Sequence, residues 1–128
     1  MKRFLIPLLA ALALPTAVNA ESIEFYSKRG LARDVNGDVR GAIKDYSKAI
    51  KIYNKNPEIQ LKNFRAIAYV FYLRGSVRWN DMQAKYRATD KLNEMEYYRA
   101  CADFKFSSQM KFRKATSHYK KWCKDLER

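Results

Sequence analysis

From Val39 onward, apolar residues recur at Ala42, Ile43, Tyr46, Ala49, Ile50 and Tyr53, the i, i+3, i+4, i+7 spacing of one helical face. Arg40, Lys44, Lys48, Lys51 and Lys55 fall between them, so the pattern predicts an amphipathic helix with a cationic outer side. Ahead of it, Ile23, Tyr26, Gly30 and Leu31 predict a shorter helix that ends at Asn36-Gly37-Asp38. Gly37 suits a left-handed C-cap and Asp38 suits the N-cap of the next helix, which would leave the two helices antiparallel. Asn56-Pro57-Glu58 then reads as another helix start, with Asn56 as cap, Pro57 at the first helical position and Glu58 beside the positive end of the dipole. This third helix is predicted through Ile59, Phe64, Ile67, Ala68, Phe71 and Gly75 to about Trp79. Between residues 81 and 96 the pattern loosens into polar and charged positions without Gly or Pro, which predicts a solvated, partly helical insertion. Periodicity returns at Tyr97, Ala100, Cys101, Phe104 and Ser108, and a last basic helix, about 116–126, carries Tyr119, Trp122, Cys123 and Leu126. Strand-type alternation is absent, so the expected class is all-α.

The first twenty residues stand outside this scheme. Lys2 and Arg3 precede an apolar run from Phe4 to Leu14, followed by Pro15 and the small-residue pattern Val18, Asn19, Ala20. That order is the signature of a cleaved secretory signal, and the run is well short of the ~20 residues a membrane-spanning helix needs. The expectation is residues 1–20 as leader and 21–128 as one exported domain, periplasmic or extracellular, or luminal in a photosynthetic bacterium. A composition 48% hydrophobic and 14% aromatic supports a packed core rather than disorder, although a chain of this size favours a surface groove over a deep pocket.

Two segments repeat. Tyr26-x-x-Arg29-Gly30-x-x-Arg33 recurs as Phe71-x-x-Arg74-Gly75-x-x-Arg78, and Ala42-Ile43-Lys44-Asp45-Tyr46 recurs as Ala100-Cys101-Ala102-Asp103-Phe104. With Gly37-Asp38, Ala49-Ile50 and Pro57, the first unit, about 23–56, resembles the tetratricopeptide repeat, especially the version common in exported bacterial proteins. The second, about 68–110, resembles it as a degenerate copy: the 81–96 insertion interrupts it, and Ser107 and Ser108 stand where Ala49 and Ile50 did. The resemblance implies an α-solenoid of two antiparallel helix pairs plus a capping helix. It also implies a concave face, formed by the first helix of each pair, that binds a partner peptide. That face would present Glu24, Ser27, Leu31, Tyr69, Tyr72, Ser76 and Trp79, with the aromatic residues either anchoring the partner or packing under the insertion. The branch of the family that clamps C-terminal carboxylates uses Lys and Asn on the first helix; here Ser27 and Leu31 occupy those places, and that specificity does not carry over.

Catalytic chemistry finds few pieces. Cys101 and Cys123 are the only cysteines, and export would place them in an oxidising compartment. Residue 112 lies midway between them, so a helical turn there would bring the two level; a disulfide is the expectation, with two separate buried thiols as the alternative. The lone His118 is expected to be solvated, and two cysteines with one histidine lack metal-ligand spacing. No nucleophile elbow or phosphate-binding glycine loop is present, so neither enzyme activity nor a cofactor is expected.

Charge changes the picture of the partner. The formal net charge is +13, or +11 once Lys2 and Arg3 leave with the signal. Besides Arg40, Lys44, Lys48, Lys51 and Lys55, a second cluster comprises Lys111, Arg113, Lys114, Lys120, Lys121 and Lys124. Nucleic acid is the usual partner of such an excess, but export disfavours it. The leading expectation is a protein-protein interaction module or assembly adaptor with an acidic partner; the alternative is a peripheral protein held to anionic lipid or an envelope polymer.

Overall fold

Gly37 takes φ +81°, and the Asp38 carboxylate accepts a 2.9 Å bond from the Gly41 N–H, so the predicted turn chemistry both ends one helix and starts the next. The computed structural model describes residues 23–127; the predicted signal and its cleavage site lie outside them. The described residues are helical throughout: α1 over 23–35, α2 Val39–Lys55, α3 Pro57–Thr89, α4 Glu94–Gln109 and α5 Arg113–Trp122, closed by a 3-10 turn, Lys124–Glu127. The chain is therefore all-α, and no strand occurs among the described residues.

Tyr26 meets Lys48, Arg29 meets Asp45 and Arg33 meets Gly41, so α1 and α2 run antiparallel. In the same way Phe71 meets Phe106, Arg74 meets Asp103 and Trp79 meets Tyr97, which makes α3 and α4 a second hairpin. α3 is the central element, packing against α2 on one side and α4 on the other. Its buried residues, among them Ile67, Val70, Phe71, Leu73 and Val77, therefore surround the helix instead of forming one stripe.

Four expectations need correction. α3 does not stop near Trp79: it continues to Thr89, with an Asp81–Lys85 ion pair of 2.8 Å on its overhang. The 81–96 segment is therefore no separate insertion but the lengthening of both helices of the second hairpin, joined by a turn over 90–93. The cap helix begins at Arg113 rather than Thr116 and gives way to the 3-10 turn after Trp122. Finally, Asn56 does not cap α3 with its side chain; its Nδ2 donates back to the Ile52 carbonyl at 2.7 Å, closing the end of α2.

The two hairpins repeat one packing arrangement. A methyl group on Gly30 would lie 2.7 Å from the Tyr46 ring and 3.3 Å from Asp45 Cβ; on Gly75 it would lie 3.0 Å from the Phe104 ring and 3.1 Å from Asp103 Cβ. Each glycine thus lets the partner helix approach to ring contact, where any side chain would force the pair apart. Beside each glycine, one buried aspartate is held by two arginines a helical turn apart. Asp45 receives Arg29 at 2.9 Å and Arg33 at 3.1 Å, and Asp103 receives Arg74 at 2.7 Å and Arg78 at 2.9 Å. Tyr46 and Phe104, fully buried, centre the two apolar clusters.

Candidate functional site

α1 and α3 lie side by side because both pack on α2, and their small and apolar residues leave a trough between them. Ala66, Tyr69, Val70 and Leu73, at helical spacing along α3, face Ile23, Ser27 and Leu31 of α1 across a cavity of about 290 Å³. Ile23, Val70 and Leu73 are buried and form the floor, while Leu31 and Tyr69, 38% and 42% exposed, form the lips. The Ser27 hydroxyl donates to the Ile23 carbonyl at 2.7 Å, so its polar atom is taken up within its own helix and the wall there is effectively apolar. Lys28 and Glu24 pair across one turn at 2.7 Å on the rim. This pairing raises the Lys28 ammonium above its ordinary value and holds the Glu24 carboxyl below it, through their hydrogen bond first and their opposite charges second.

Of the residues expected along the concave face, Glu24, Ser27, Leu31 and Tyr69 come together here. Tyr72, Ser76 and Trp79 do not. Tyr72 stacks on Tyr69 with centroids 6.3 Å apart and, on its other side, lies parallel to His118 at 5.3 Å. The Ser76 hydroxyl is buried, with no hydrogen-bond partner among the described residues. Trp79, 8% exposed, stacks face to face on Trp122 at 4.6 Å and touches Tyr97 at 5.9 Å, so α5 and α4 cover it. It is a structural contact of the capping helix rather than an anchor open to a partner.

Sequence reasoning missed the floor residues Ile23, Val70 and Leu73 and the exposed Ala66 that lines the trough with them, although the 66, 69, 70, 73 spacing marks that stripe of α3. It also missed a second apolar hollow, about 580 Å³, between Phe64 and Ala68 of α3 and Met110 and Phe112 of the α4–α5 turn. Phe112 touches Tyr69 at 5.6 Å, so the hollow adjoins the lip of the trough.

Cys101 and Cys123 form the expected disulfide, with Cα atoms 5.7 Å apart and both residues fully buried. The turn over 110–112 places them level, and a 2.8 Å hydrogen bond between Ser108 and Thr116 aligns the same pair of helices nearer the turn. His118 is not solvated: it is half-buried and lies parallel to Trp122 at 4.2 Å. Burial first, then the nearby Lys121 and Lys114 charges, hold its imidazole below the ordinary value.

The α2 cations divide. Arg40, Lys44, Lys51 and Lys55 are exposed, but Lys48 is half-buried with its ammonium 5.2 Å from the centre of the Tyr26 ring. Among the described residues no cluster of His, Cys, Asp or Glu is able to hold a metal ion, and no helix is long and apolar enough to cross a membrane. Fold and site together define an all-α protein of two similar helical hairpins with a trough between their leading helices and a disulfide-fastened cap. No family model, curated protein or solved structure matches the chain.

Proposed function

We propose that this chain is an exported interaction module of tetratricopeptide-repeat type, whose trough between α1 and α3 takes an extended or helical segment of a partner protein. The observation that carries the reading is the apolar cavity of about 290 Å³ with Leu31 and Tyr69 at its lips. It has the size and lining to seat one or two apolar side chains, and its aromatic lip is of a kind enriched at interface anchors. The repeated Gly30 and Gly75 contacts support the family resemblance, and the Cys101–Cys123 bridge supports export into an oxidising compartment. Charge argues for an acidic partner: Lys28 lies on the rim, Lys62 and Arg65 are exposed on the adjoining turns of α3, and cations outnumber acids 26 to 13 along the chain.

Selection from a random peptide library displayed on phage tests this with no partner identified in advance. The expected winners carry an apolar residue flanked by Asp or Glu, compete with one another, and bind about tenfold or more weakly to the Leu31→Glu and Tyr69→Ala variants. Winners with no shared apolar position, or binding that both variants retain, would overturn the reading.

A further inference from the structure

The capping helix has two unlike faces. Ala115, His118, Tyr119 and Trp122 turn inward, while Arg113, Lys114, Lys120 and Lys121 are exposed, as are Lys111 in the turn before the helix and Lys124 in the 3-10 turn after it. From residue 111 to 124 the sequence contains no Asp or Glu, and among the described residues none of these six cations joins an ion pair; the next acid is Asp125, in the 3-10 turn. Elsewhere Arg29, Arg33, Arg74, Arg78, Lys85 and Arg99 each meet a carboxylate, whereas the exposed Arg40, Lys44, Lys51 and Lys55 of α2 join no ion pair among the described residues and form the natural comparison surface. Lys111 also adopts φ +67°, a left-handed conformation that glycine would take without strain. The disulfide and the Trp79–Trp122 stack fasten this helix to the body, so its charged face is held as a fixed surface.

We infer that the outer face of α5 is a docking surface for an anionic phospholipid bilayer, separate from the trough and independent of whether the trough binds a peptide. Charge complementarity names the occupant, and residue type selects among anionic surfaces. Five of the six cations are lysines, the residue depleted at protein interfaces, whereas clusters of Lys and Arg on an amphipathic helix attract acidic lipid head groups. The hollow beside Ser108, Lys111, Arg113, Thr116 and Ser117 is lined by hydroxyl-bearing and cationic side chains, the groups that hydrogen-bond a phosphodiester, while the apolar hollow of Phe64, Ala68, Met110 and Phe112 touches this cation set only at Lys111.

Sedimentation with vesicles tests the surface, using the whole chain, phosphatidylcholine vesicles with and without about 30% phosphatidylglycerol, and two triple variants of equal charge. Residues 1–20 are common to all proteins, so their contribution cancels when the variants are compared on the same vesicles. Lys114→Gln with Lys121→Gln and Lys124→Gln is expected to weaken partitioning onto anionic vesicles about a hundredfold, at about fivefold per lysine. The matched α2 variant, Lys44→Gln with Lys51→Gln and Lys55→Gln, is expected to lose less than about fivefold. Lys114→Gln alone guards against a folding defect: it should lose about fivefold with an unchanged circular dichroism spectrum. Equal losses in the two triple variants, or full binding by the α5 variant, would overturn the inference. So would failure to bind vesicles together with lysine-dependent binding of polyglutamate, which would make the occupant an acidic protein. Loss of peptide binding by Leu31→Glu with vesicle binding intact would separate this surface from the trough.

Discussion

Asp45 and Asp103 occupy the same place in the two hairpins, yet their removal should cost different amounts. Asp103 accepts from Arg74 Nε at 2.9 Å and Nη2 at 2.7 Å and from Arg78 Nη1 at 2.9 Å, and these arginine side chains are only 16% and 15% exposed. Burial already pulls the Arg78 guanidinium below its ordinary value. Asp103→Ala would leave two poorly hydrated cations facing each other, a loss of about 3–5 kcal/mol. Arg74 also donates to Ser47 Oγ at 3.0 Å, so its displacement would disturb the α2–α3 contact. Asp45 is equally buried, and Arg29 holds its carboxyl below the ordinary value by hydrogen bonding; but the Arg29 and Arg33 side chains are 37% and 35% exposed and can turn to water. Asp45→Ala should therefore cost about 1–2 kcal/mol. Urea unfolding of both variants near pH 7, followed by far-UV circular dichroism with the disulfide intact, should show a gap of about 2 kcal/mol. Equal losses, or a loss below about 1 kcal/mol for Asp103→Ala, would refute the idea that hydration of the arginines, rather than the pairing itself, sets the energy.

Tyr46→Phe should stabilise the fold by about 1 kcal/mol, because the Tyr46 hydroxyl is buried with no partner among the described residues and Phe104 already fills the equivalent place; a loss of that size in thermal unfolding would contradict it. Cys101→Ala with Cys123→Ala should cost about 3 kcal/mol by chain entropy and change tryptophan fluorescence, since the bridge holds Trp122 on Trp79; an unchanged unfolding midpoint would show that packing alone secures α5. The single histidine gives a pH signature. His118 is held below its ordinary value of 6.5, so the unfolded chain takes a proton that the folded chain refuses. Its contribution is flat above that pH, and stability falls as pH drops through the unfolded value. Urea midpoints between about pH 7.5 and 5.5 should decline in the native protein and stay level in His118→Phe; parallel curves would contradict the buried-imidazole reading.

Most of the architecture is legible in the sequence because local signals agree: the stripe of α2, the Gly37-Asp38 turn, Pro57 at a helix start, and the paired motifs around Gly30 and Gly75. Symmetry about residue 112 makes the disulfide an expectation provided a helical turn falls there, and the turn over 110–112 decides for it against two separate thiols. The overhang of α3 escapes the pattern because amphipathicity reports packing, and residues 83–89 meet too little of the protein to need an apolar face. Its helix-forming residues, Met82, Gln83, Ala84, Lys85, Arg87 and Ala88, and the Asp81–Lys85 spacing are the signal that remains. Counting register from the repeat puts Trp79 on the concave face, but the capping helix carries Trp122 and takes that side for itself. The neighbouring lysines make His118 look solvated, although Tyr119 and Trp122, one and four residues on, place it beside an aromatic face.

Photocrosslinking in cells that produce the protein asks whether the trough between α1 and α3 receives a partner segment. A photoreactive amino acid replaces Leu31 in one strain and the outward-facing Lys51 of α2 in another. One dominant adduct is expected from position 31, mapped by mass spectrometry to an acidic segment with an apolar residue at its centre, and absent from position 51. No adduct at position 31, or the same adducts from both positions, would contradict a partner seated in the trough.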